Sequence, residues 1–69
     1  MEFHEKLQEL RKNRGLTQEE LAEACDLSPG YISQLEGPNC FFCPSLKTLF
    51  VIGEVLNVPV SKLVDIEND

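Results

Sequence analysis

Thr17-Gln18-Glu19-Glu20-Leu21-Ala22-Glu23-Ala24-Cys25-Asp26-Leu27-Ser28-Pro29-Gly30-Tyr31-Ile32-Ser33-Gln34-Leu35-Glu36 is the stretch on which the fold turns. Thr17 with Glu20 three residues on is a capping box, in which the two side chains reciprocally satisfy exposed backbone N–H donors. A helix therefore starts here. Its inner side carries Leu21, Ala22 and Cys25, and Asp26 tolerates the left-handed backbone that ends a helix. Ser28 then caps a new helix with Pro29 at its first position, where a missing N–H costs nothing. That helix runs to about Leu35 or Glu36, and Gly37-Pro38-Asn39 breaks it. Only Asp26 and Leu27 separate two helices of about two turns each, too few residues for an antiparallel hairpin, so the pair must cross sharply.

Working outward, Phe3, Leu7 and Leu10 recur at intervals of four and three, the stripe of an amphipathic helix over about Phe3 to Asn13, with Gly15 as its stop. Past an irregular segment ending at Pro44, Ser45 caps a fourth helix. Its inward stripe reads Leu46, Leu49, Phe50, Gly53 and Leu56, and Asn57 suits its exit. Ser61 is the expected cap of a short fifth helix carrying Leu63 and Val64. The expectation is an all-α, compact five-helix bundle in one domain, 1–69.

Composition bounds what such a domain does. With 69 residues there is space for one small core and none for a large enzyme, and 42% hydrophobic residues supply that core. Twelve acidic against six basic residues give a formal charge of −6, which opposes a generally basic nucleic-acid-coating protein, so any DNA contact must be local. No apolar run approaches the ~20 residues of a spanning helix, and the charged, periodic start is unlike a signal peptide. Three cysteines are an odd number with no paired framework, so a reducing, cytoplasmic location is expected. No nucleophile–base pair stands out and His4 is alone, so neither enzymatic activity nor a cofactor is expected.

The sharp crossing of the second and third helices is helix-turn-helix geometry, in which the second helix of the pair presents its outer face to the major groove; the expected motif spans about 17–36. Leu16-Thr17-Gln18-Glu19-Glu20-Leu21-Ala22, Leu27-Ser28, Tyr31-Ile32-Ser33-Gln34-Leu35-Glu36 and Pro44-Ser45-Leu46-Lys47-Thr48-Leu49 strengthen it. In these residues, and in their order, nearly the whole chain resembles the Cro and phage-repressor type helix-turn-helix family, also called the xenobiotic-response-element family. The resemblance implies a lambda-repressor-like five-helix domain that binds double-stranded operator DNA, usually as a symmetric dimer. It also implies a phosphate contact at Gln18, and an ion pair of Arg11 with Glu36 that holds the first helix to the third and turns the guanidinium towards phosphate.

At ~100° per residue, taking Ile32 and Leu35 as the core direction puts Gly30 almost opposite, with Ser33 and Gln34 on either side and Tyr31 on the flank. Gln34 is the leading base reader, since an amide offers the donor and acceptor needed for adenine; the alternative is a merely solvated side chain. Gly30 and Pro29 cannot hydrogen-bond a base through their side chains; they permit close backbone approach or apolar contact with a thymine methyl, or else serve only the helix. Ser28 is a cap that can also meet phosphate. Lys12 and Arg14 are phosphate candidates, or else compensate the C-terminal dipole of the first helix.

The resemblance breaks in the loop after the third helix. Many relatives carry Lys and Arg there, whereas Gly37-Pro38-Asn39-Cys40-Phe41-Phe42-Cys43 has no positive charge. Cys40 and Cys43 read as small apolar residues beside a phenylalanine plug, as a redox pair, or as part of a metal site, for which a full ligand set is not evident. Apolar Val58, Val60, Val64 and Ile66 exceed what a short fifth helix needs and are candidates for a homodimer contact. The expected function is a sequence-specific DNA-binding transcriptional regulator on a short palindromic operator; the alternative is a protein-interaction or antitoxin-like module that uses the Cys40–Cys43 loop for docking or thiol response.

Overall fold

The computed structural model describes residues 2–38 and 44–64, in which the elements are helices α1 (Phe3–Asn13), α2 (Gln18–Cys25), α3 (Pro29–Leu35), α4 (Leu46–Leu56) and α5 (Val60–Val64). The starts of four of them follow from their caps. Glu2 and Glu5 form a capping box at α1, and Thr17 and Glu20 form another at α2. The Ser28 hydroxyl accepts from the Tyr31 N–H at 3.1 Å, and the Ser45 hydroxyl accepts from the Thr48 N–H at 3.2 Å.

Three of the helices end in the same way. After α1, Gly15 (φ +74°) donates to the Lys12 carbonyl and Leu16 reaches back to that of Arg11. After α2, Asp26 (φ 59°) and Leu27 do the same to Glu23 and Ala22; after α4, Asn57 (φ 61°) and Val58 do so to Glu54 and Gly53. Each is a left-handed residue flanked by paired reversed hydrogen bonds, which satisfies the last carbonyls and turns the chain sharply.

α2 packs on α3 and α4, while α5 packs on α1 and α4. The core between them is Leu7, Leu21, Ala22, Cys25, Ile32, Leu35, Leu49, Ile52, Leu56 and Leu63, with Phe3 and Leu10 half-buried against it. Two sequence expectations fail. The inward face of α4 is Leu49, Ile52, Gly53 and Leu56, whereas Leu46 and Phe50 are 62% and 58% exposed. α4 is apolar nearly all round, so its spacing admits two stripes, and packing on α2 and α5 selects the one that includes Ile52. Ser61 does not cap α5, which already begins at Val60; Pro59 has a ring-fixed φ that pre-sets a helical start, and its carbonyl accepts from the Lys62 N–H at 3.0 Å.

Candidate nucleic-acid interface

The site is built around one buried carboxylate. Glu36, the residue that ends α3, receives Arg11 of α1 through two parallel bonds, Nε to Oε2 at 2.7 Å and Nη2 to Oε1 at 3.0 Å. The two side chains are only 8% and 2% exposed. A third guanidinium bond runs from Nη1 to the Leu16 carbonyl at 2.7 Å, in the turn before α2. Glu36 Oε1 also accepts from Gln18 Nε2 at 3.0 Å. The carboxylate thus ties α1 and the first residue of α2 to the end of α3, and the guanidinium it holds adds the α1–α2 turn. Fork-to-fork geometry makes such a pair directional, so it fixes angles between helices as well as holding them.

The sequence offered no sign of the Gln18–Glu36 bond, because no local spacing relates positions 18 and 36. The bond fixes the Gln18 amide. One N–H points to Glu36, and the other N–H and the carbonyl oxygen remain. A shallow cleft lies beside it, lined by Arg11, Lys12, Gly15, Thr17, Gln18 and Glu19. It sits where the end of α1 meets the start of α2. Lys12 is exposed at its edge. Arg14 is exposed too, but its Nη2 donates to the Val55 carbonyl at 3.3 Å, one of the last carbonyls of α4.

On α3 the outer and inner faces are cleanly divided. Ile32 and Leu35 are buried, Gly30, Ser33 and Gln34 are exposed, and Tyr31 is half-buried. Ser28 is exposed, with its hydroxyl engaged at the cap. Cys25 faces the core, and burial pushes its thiol above the ordinary range. Val58, Val60 and Val64 are half-buried against the core. The Cys40–Cys43 pair, the phenylalanines between them and Ile66 lie outside the described residues.

A family model described as helix-turn-helix matches residues 7–36. The structure is similar to that of the clp gene regulator ClgR from Corynebacterium glutamicum, with a TM-score of 0.76, 33% identity, and coverage of 88% of this chain and 77% of that one. The chain belongs to the Cro/C1-type helix-turn-helix family. A second ClgR structure gives a TM-score of 0.78 and coverage of 63% of that chain. In sequence, the chain is 40% identical over 63 residues to the HTH-type transcriptional activator BcrR of Enterococcus faecalis, and 36% identical over 64 residues to the immunity repressor protein of Bacillus phage phi105. It spans 30% and 43% of their respective lengths. The span matched by the helix-turn-helix model begins at buried Leu7 and ends at Glu36, so it contains every side chain of the Arg11–Gln18–Glu36 network.

Proposed function

We propose that this helix-turn-helix chain is a sequence-specific DNA-binding transcriptional regulator that reads a short palindromic operator as a homodimer. The observation that carries the reading is the division of α3. Ile32 and Leu35 anchor it in the core while Gly30, Ser33 and Gln34 stand free, and its far end is clamped by the Arg11–Glu36–Gln18 network. A recognition helix must be held this rigidly, because base discrimination depends on placing an amide within a few tenths of an ångström.

In this reading Gln34 reads a base edge through both halves of its amide, with Ser33 beside it and Tyr31 on the flank. Gln18 gives its second N–H, and the backbone N–H groups at the start of α2, to a phosphate, where the helix dipole also favours an anion. Lys12 supplies positive charge at the cleft, and Arg14, exposed and bonded to the Val55 carbonyl, adds a second phosphate contact beside it on the chain. Arg11, turned inward, acts by aiming Gln18 and α3. Ser28 keeps its hydroxyl for the cap and lies on the same face. Dimerisation through the α4–α5 side, with Val58, Val60, Val64 and Ile66 as the candidates, sets two recognition helices ~34 Å apart.

The test is a titration against a pool of random duplexes at two salt concentrations. Enrichment of one palindrome supports the regulator, and absence of binding even at low salt overturns it. One observation favours the second reading, a protein-interaction or antitoxin-like module: Leu46 and Phe50 stand exposed on α4. Phe50→Ser separates the two. Loss of a protein partner with operator binding intact supports the interaction module; loss of dimer and operator binding together supports the regulator.

A further inference from the structure

Gly30 has no reason to be glycine in the fold. Its φ is not positive, and a Cβ built on it meets nothing within 4 Å. It sits in the first turn of α3, where alanine is the better helix former because it loses less backbone freedom on folding. The other glycines of the described residues stand differently. Gly15 holds a left-handed turn, a Cβ at Gly53 would lie 2.8 Å from the Val58 carbonyl, and Gly37 lies past the end of α3, where alanine has no helix to favour. Pro29 is likewise explained, as the first residue of the helix. Of the two glycines inside the described helices, Gly53 is required by packing, whereas Gly30 gives up helix stability with no contact among the described residues that asks for it.

It lies on the exposed face of α3, with Gln34 one turn further along. Resting on the DNA-binding reading above, we infer that Gly30 is a specificity-determining residue: its missing side chain opens a shallow apolar seat, floored by the Gly30 Cα and edged by the Pro29 ring, for the C5-methyl group of a thymine. The chemistry selects that group. Neither residue has a side-chain donor or acceptor, so no side chain here reads a polar base edge. The thymine methyl is the apolar feature that base pairs present in the major groove. A Cβ at residue 30 would occupy the place of that methyl.

The experiment takes the duplex enriched from the random pool and replaces each thymine in turn with deoxyuridine, which keeps every hydrogen bond and removes only the methyl. Wild-type and Gly30→Ala chains are titrated on each duplex by fluorescence anisotropy, with thermal unfolding measured on both. For the wild type, one thymine in each half-site is expected to lose about fourfold in affinity on replacement, the equivalent of one unburied methyl group. Gly30→Ala is expected to raise the melting temperature by about 2–8 °C. It should also weaken binding to the thymine duplex by at least about fivefold, and bind the uracil duplex as well as or better than the thymine one. A duplex that is enriched but indifferent to every thymine replacement, or a Gly30→Ala chain that binds it as the wild type does, overturns this inference and leaves the DNA-binding reading standing. Failure to enrich any duplex overturns both.

Discussion

Removing the Glu36 carboxylate is expected to cost far more than its place at the end of a surface helix would suggest. Glu36→Ala leaves the Arg11 guanidinium 92% enclosed with only the Leu16 carbonyl as partner, and leaves the amide of Gln18 without its acceptor. Breaking a buried ion pair from one side typically costs about 3–5 kcal/mol, because the surviving charge is stranded without water. A 69-residue chain at roughly 0.05–0.15 kcal/mol per residue has only about 3–10 kcal/mol in total. The single variant should therefore sit near the edge of folding, and urea unfolding followed by circular dichroism in a stabilising osmolyte can measure it. Arg11→Met combined with Glu36→Leu removes both charges, and is expected to be much less harmful than the sum of the single variants. Salt should barely change the wild-type contribution, since a pair this enclosed is poorly screened. The reasoning is refuted if Glu36→Ala costs less than about 1 kcal/mol, the range of exposed pairs, or if the double variant is as unstable as the two losses added.

Gly53→Ala should lower the melting temperature, by about 4–8 °C for each of the roughly 1–3 kcal/mol that overpacking costs, because its Cβ would meet the Val58 carbonyl at 2.8 Å; a rise would mean that helix propensity outweighs that contact. The Cys25 thiol is held protonated by burial. Unfolded thiols ionise from about pH 8.5, so the stabilising contribution of the protonated thiol is full below that pH and is lost as pH rises towards the higher folded value. The stability difference between wild type and Cys25→Ala should shrink from pH 7 to pH 10, and a constant difference would count against it. On DNA, Gln34→Ala is expected to relax one base preference at about 1–3 kcal/mol, whereas Lys12→Ala should weaken all sequences alike and reduce the salt slope by about one; identical binding profiles for the two would show that α3 is turned otherwise.

The elements that were legible in the sequence are those whose determinants are local. Thr17 with Glu20, Ser28 with Pro29, and Asp26 each act within three or four residues, so α2, the turn and α3 follow from reading along the chain. The exposed face of α3 followed as well, since Ile32 and Leu35 leave a seven-residue helix little choice of orientation. What escaped was decided across the fold. The face of α4 depends on which of two apolar stripes meets α2 and α5, and neither stripe is marked by a polar residue at its centre. The donation from Gln18 to Glu36 joins residues 18 positions apart and exists only because three helices converge. The Arg11–Glu36 pair was reachable through family resemblance, not through spacing. The bond from Arg14 to the Val55 carbonyl, spanning 41 positions, had no sequence signature.

That network also changes how the charge of −6 bears on DNA. Three cations lie at the end of α1, but Arg11 is matched inside the protein by Glu36 and brings no net charge to the surface. Lys12 remains beside the start of α2 and Arg14 reaches the end of α4, and exposed Glu19, Glu20 and Glu23 on α2 oppose them in sign. Under the proposed reading, a dimer brings about four such cations to the phosphates, and at roughly 0.9 per charge its salt slope is about −3.6. A slope that shallow means little non-specific attraction, so affinity has to come from the fit of α3 and from pairing two of them on one duplex. The rigid Arg11–Glu36–Gln18 clamp and the bare backbone at Gly30 are both devices of fit. A measured slope steeper than about −6 would show that charge, rather than shape, carries the binding.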